Sequence, residues 1–393
     1  MDRLGGWLGK DHLGDFKPGF YRKNLAKKKN KVYMKWMPNS KEKNTGENAQ
    51  QDRAVRRGRS KVGWQLWIGI ILSLIFLILA LRGVDLKMTA NTLRNTNILM
   101  LCVAAGCFVF STAAKAFRWR LILVSRKSPS FMRAFLILSI GLMVNAFLPA
   151  RLGEFARAYL MGEAEADSKV FVLGTIVLEK VADLLFLLLS LFILLLWMKL
   201  PEWLIGPARG TALVLLILVI SLIFLLWKKE ILLTILERTS RFLPLKWQEW
   251  LARQARYGLA SLDAIRNPRL MIGLLGWSLI IWVLSTLTNI LVFLAMKLTM
   301  PIWISLLLLV VLQVGTAVPS SPGRVGVFQY LVVLCLSLIA MDKNVALGYS
   351  IALYLVVYIS MALLGVWGLW HEKITWGRLT QSALRYSEGR KSG

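Results

Sequence analysis

The chain has 393 residues, 56% of them hydrophobic, a mean hydropathy of +0.58 and a formal net charge of +28. A soluble domain of this length is not this apolar, and repeated apolar runs of about 18 residues or more mark a multi-span helical membrane protein. Histidine triads and His/Cys metal centres are excluded for want of residues: His12 and His371 stand at opposite ends, and Cys102, Cys107 and Cys335 all lie in apolar runs as small hydrophobes expected to be buried. No metal, cofactor or catalytic residue is expected.

Residues 1–62 form a basic segment with 17 Lys/Arg against six Asp/Glu, including Lys27-Lys28-Lys29. It is too long and too polar for a signal-peptide n-region, so the first span is expected to be retained as an anchor. The segment reads as a disordered cytoplasmic tail that holds the topology positive-inside, with a second use in attracting anionic headgroups. Nothing in it resembles a folded nucleic-acid reader, and no nucleic-acid partner is expected.

A transmembrane domain is expected over 63–372, followed by a basic cytoplasmic tail over 373–393. Spans are expected at about 64–81 and 97–117, joined by a loop carrying Arg82, Asp85, Lys87 and Arg94. After them come Lys115, Arg118, Arg120, Arg126, Lys127 and Arg133 with no acid, which reads as a cytoplasmic loop. An apolar stretch over 131–150 precedes a polar break. Further spans are expected at 170–198, at 211–227 after a loop with Pro201 and Pro207, at 271–296 and at 345–370. Apolar stretches at 302–318 and 325–340 flank a second break. Tryptophans near span ends, such as Trp64, Trp197, Trp227 and Trp370, read as interfacial belts.

The two breaks echo each other. Pro149-x-Arg151-x-Gly153-x-Phe155 aligns with Pro322-x-Arg324-x-Gly326-x-Phe328, and Pro319 and Gly323 add to the second. Proline and glycine interrupt helices, and charged side chains are costly in hydrocarbon. Parity sharpens the reading. A full crossing by 131–149 would place the 228–270 segment, with nine Lys/Arg against four Asp/Glu, outside. A re-entrant 131–160 hairpin places it inside, as its charge requires. The two broken segments then enter from opposite faces. The expected fold is therefore all-α: a polytopic helical membrane protein with two Pro/Gly-broken re-entrant hairpins in an inverted-repeat arrangement.

Arg151, Glu154 and Arg157 recur every three residues, so a helix starting after Pro149 sets them along one broad face. With Arg324 and Asn145 they form the expected binding set for a phosphate-bearing headgroup, because guanidinium groups fork onto phosphate oxygens. The alternative is internal pairing of Glu154 with an arginine. On the 170–198 span, Glu179 and Asp183 share a face and Lys180 can reach Asp183; these three read as a coupling site or a salt-bridge network. Asn145, Asn289 and Gln313 also suit interhelical hydrogen bonding.

Three motifs, Leu148-Pro-Ala-Arg-Leu-Gly-Glu-Phe-Ala-Arg157, Val177-Leu-Glu-Lys-Val-Ala-Asp183 and Pro319-Ser-Ser-Pro-Gly-Arg-Val-Gly-Val-Phe328, resemble in order and spacing the membrane domain of lysylphosphatidylglycerol synthases. The same domain occurs alone in flippase-like membrane proteins of bacteria and archaea. The resemblance covers roughly 64–370. It implies movement or holding of lipids, and it matches Arg151, Glu154, Arg157, Glu179, Asp183, Pro322 and Gly323 to family motif positions. Lys180 stands where an arginine is common and Gln329 where a glutamate is common. No soluble aminoacyl-transferase domain follows Trp370, so this chain alone is not expected to make lysyl-lipid.

The expected function is binding and translocation of an anionic phospholipid or lipid-linked phosphate. The alternative is a membrane-embedded transferase or an accessory subunit in lipid-linked glycan or aminoacyl-lipid synthesis. Membrane lipids are the expected partners, with a separate synthase or glycosyltransferase as a second one. The expected location is a prokaryotic inner membrane with both termini cytoplasmic.

Overall fold

A computed structural model of the chain describes residues 69–124, 128–148, 152–165, 167–197, 202–227, 267–315 and 321–374, with isolated positions at 67 and within 238–258. The basic segment 1–62, most of 228–266, the tail beyond 374, and Pro149, Arg151 and Pro319 lie outside the described residues. Every regular element among those described is a helix. In chain order they are α1 (Gly69–Leu81), α2 (Leu86–Arg94), α3 (Ile98–Leu123), α4 (Phe131–Phe147), α5 (Leu152–Ala164), α6 (Lys169–Trp197), α7 (Glu202–Trp227), α8 (Pro268–Ala295), α9 (Ile302–Gly315), α10 (Val327–Ser337) and α11 (Lys343–His371).

Helix starts follow the capping rules. Asp85, Asn97, Ser130, Asn267 and Asp342 each accept hydrogen bonds from amides of the first turn that would otherwise lack partners. Pro268 opens α8, where its missing N–H costs nothing. At the end of α4, Leu148 is extended (φ −108°, ψ 144°), the conformation favoured for a residue ahead of a proline.

Helices α3, α8 and α11 are each long and apolar enough to cross a membrane. The α1–α2 pair, bent by 85°, makes a fourth crossing if counted as one. The loop expected at 82–97 is mostly helix α2, because Asp85 caps it and Thr89 and Thr92 fasten their hydroxyls to carbonyls one turn back. Helix α3 runs on to Leu123, so Lys115 and Arg118 lie in a helix and not in the expected loop. Helix α7 begins at Glu202, ahead of Pro207. Cys107 and Cys335 are buried as expected; Cys102 is exposed, on the outer side of α3.

The pairs α4/α5 and α9/α10 are shorter. Their arms of 17, 13, 14 and 11 residues fall short of the roughly 30 Å hydrocarbon thickness at 1.5 Å per residue. Helices α4 and α5 run antiparallel at near-contact distance: Gly153 packs on the Gly141 carbonyl and on Asn145, and the Arg157 stem lies over Gly141. Only hydrogen at Cα permits that approach.

Two apolar cores result. One joins Trp119, Phe135, Ile140, Met161 and Phe171 from α3–α6. The other joins Leu191, Trp282, Phe293, Leu308, Val332 and Tyr349 from α6 and α8–α11. The outer surface is apolar too: Ile98, Phe110, Ile272, Leu363 and Trp370 stand exposed. Apolar side chains outside and ionisable ones buried within is the distribution a bilayer selects.

Candidate functional site: a charged cavity between helices

The buried charges converge on one cavity of about 900 Å³, lined by members of both cores. Its ionisable lining is Lys115 and Arg118 from α3, Glu154 and Arg157 from α5, Glu179, Lys180 and Asp183 from α6, and Arg324 from the turn before α10. Asn145 and Gln313 also line it. All the described residues of the expected binding and coupling sets therefore meet in one place.

Helix α6 is the charge rail. Glu179 receives the Arg157 guanidinium at 2.7 Å, with both side chains almost wholly buried. Asp183 receives Arg118 at 2.7 Å, and Arg118 also donates to the Ser278 hydroxyl at 2.9 Å. Lys180 does not pair with Asp183 as its spacing allowed; it reaches across to Glu154 at 3.4 Å. Two rungs join α6 to α5 and one joins it to α3, so the network ties α3 and the first hairpin to one element. Arg157 gains further from the Trp119 ring, whose centroid lies 4.1 Å from the guanidinium carbon, and Trp119 is held by Thr175 at 3.1 Å.

Asn145 acts inside the hairpin: its carboxamide oxygen accepts the Gly153 amide at 2.7 Å, one of the donors left free at the α5 start. Asn289 donates to the Ser305 carbonyl at 3.0 Å and ties α8 to α9, the interhelical role expected of it.

The second break is built differently. Pro322–Arg324 form one 3-10 turn, and Gly323, Arg324 and Gly326 all have positive φ (77°, 55° and 89°). Glycine tolerates that region; Arg324 is there because neighbours hold the turn. Ser73 of α1 accepts the Ser321 amide at 2.9 Å, Tyr354 of α11 donates to the Gly323 carbonyl at 2.8 Å, and Gln329 accepts the Gly326 amide at 2.7 Å. Gln329 is thus a helix cap, and its amide oxygen does there what a carboxylate oxygen would. Arg324 lies beside the Tyr358 hydroxyl.

Pairing leaves a remainder. Five cations and three carboxylates line the cavity among the described residues. Each carboxylate has a cation of its own, while Lys115 and Arg324 have no carboxylate within ion-pair distance.

Residues 66–365 match the family model described as the lysylphosphatidylglycerol synthase TM region. The chain belongs to this family. Among its relatives, UPF0104 membrane protein MJ1078 of Methanocaldococcus jannaschii is 26% identical over 228 residues, which is 57% of this chain and 92% of that protein. UPF0104 membrane protein MJ1595 of the same organism is 28% identical over 129 residues, 32% of this chain and 38% of that one. No solved structure matches. The lysylphosphatidylglycerol synthase TM region covers every helix from α1 to α10 and so contains the whole cavity.

Within this family domain, Lys115 and Arg118 are the site residues that sequence reasoning missed. A run of basic residues after an apolar stretch reads as a positive-inside flank. The signal against it was present: Phe108, Ser111, Lys115 and Arg118 recur at three- and four-residue steps, one face of a continuing helix.

Proposed function

We propose that this multi-pass membrane protein binds the phosphate-bearing headgroup of an anionic phospholipid or lipid-linked phosphate in the cavity and carries it across the bilayer. The observation that carries the reading is the surplus of positive charge in a chamber of about 900 Å³ inside an apolar helical domain. Such a volume suits a headgroup with its glycerol. Ionisable side chains at this depth mark a pathway more often than they stabilise a fold.

Transport follows if the two hairpins enter from opposite faces and rock about the site. Their short arms and their shared cavity support that arrangement. Placing both termini in the cytoplasm of a prokaryotic cell satisfies the charge of the 1–62 and 228–270 segments. The test is a proteoliposome assay with fluorescent phosphatidylglycerol or a polyprenyl phosphate. Protein-dependent movement between leaflets is expected; no movement of either lipid contradicts the reading.

A further inference from the structure

Resting on that reading, we infer that Lys115 and Arg324 form the phosphate subsite of the cavity and that the site selects headgroups of net negative charge, rejecting headgroups that carry an added amino group. The argument is one of charge saturation. A cationic headgroup needs a free carboxylate. Glu179 is taken by Arg157 and its side chain is 4% exposed; Glu154 is taken by Lys180. Asp183, the most open of the three at 32%, already holds Arg118 and also faces Lys115. An incoming ammonium would meet Arg157, Arg118 or Lys180 already seated on each of these carboxylates, and like charges at close range oppose its binding.

The two spare cations have the opposite preference. Lys115 offers three donors, and none of them is taken by a carboxylate within ion-pair distance. Arg324 lies beside Tyr358, and it too has no carboxylate within ion-pair distance. They come from separate elements, α3 and the left-handed turn of the second break. A phosphate held by both would bridge the part of the domain tied to α6 and the part tied to α1 and α11. That makes occupancy of the subsite sensitive to the arrangement of the two hairpins.

The experiment is native mass spectrometry of the full chain in detergent, titrated with phosphatidylglycerol, aminoacylated phosphatidylglycerol and water-soluble glycerol phosphate. Wild type is expected to bind phosphatidylglycerol at least ~10-fold more tightly than the aminoacylated lipid, and Lys115→Gln and Arg324→Gln are each expected to weaken it roughly 10-fold, the worth of one charge-assisted hydrogen bond. Lys115→Arg keeps the charge and is expected to keep binding, which separates loss of the subsite from loss of the fold. Equal binding of the two lipids, or binding indifferent to both Gln substitutions, overturns this inference and leaves the proposed function standing. Absence of any lipid binding by wild type overturns both. Glycerol phosphate bound as tightly as the lipid overturns the lipid assignment, since the site would then read a soluble anion.

Discussion

The two hairpins share a cavity and a proline–arginine–glycine pattern, yet they are held by different forces. The first is closed between its own arms, glycine against glycine and Asn145 on the Gly153 amide, and its charges pair to α6 at 2.7 and 3.4 Å. The second is held from without by Ser73 and Tyr354, and its own Gln329 caps the turn, around three left-handed residues. The first spends its described charges on structure, and the second leaves Arg324 without a carboxylate. One wall of the cavity is thus a frame of paired charges with Lys115 left over, and the other presents Arg324.

The largest expected effect tests the frame. Arg157→Ala strands the Glu179 carboxylate in a buried site, and loss of one partner of such a pair costs about 3–5 kcal/mol. Thermal unfolding in detergent should show it, and Arg157→Met/Glu179→Leu should recover most of the loss. Recovery would mark the pair as glue; a stable double variant that no longer moves lipid would give the pair a second role. Gly153→Val comes next. Its side chain meets the Gly141 carbonyl and Asn145, and overpacking of this kind costs about 1–3 kcal/mol, or more where backbone must shift. The yield of monodisperse protein reads it out.

Tyr354→Phe acts on the other hairpin. It removes the donor to the Gly323 carbonyl and should cost about 0.5–1.5 kcal/mol while freeing the turn that carries Arg324. Faster proteolysis near residue 324, with the first hairpin unaffected, would sharpen the contrast; equal loosening of both would break it. Lys180→Gln should matter least for stability, less than about 1 kcal/mol, since its side chain is half exposed.

The crossings by α3, α8 and α11 and the second break were legible in the sequence because their causes are local. Hydropathy sets the apolar helices, and the Pro322–Gly326 turn interrupts one of the apolar stretches wherever the rest of the chain goes. The convergence of Glu154, Arg157, Glu179 and Asp183 was legible in part, since charge in an apolar run has few places to hide. Which cation meets which carboxylate was not. Lys180 and Asp183 are close in sequence, yet each pairs with a different helix, because α5 and α3 approach different sides of α6. Lys115 and Arg118 were hidden by composition: basic residues beside a span serve topology in one protein and line a cavity in another. Only the register of α3 against α6 and α8 tells these apart.

The most direct test of the central claim is to identify the lipids that stay with gently extracted wild-type protein and with Lys115→Gln/Arg324→Gln. The account predicts an anionic phospholipid or lipid-linked phosphate enriched over the bulk membrane in wild type and lost from the variant at unchanged size-exclusion profile. The same bulk lipids on both proteins would contradict it and leave the cavity charges as internal structure alone.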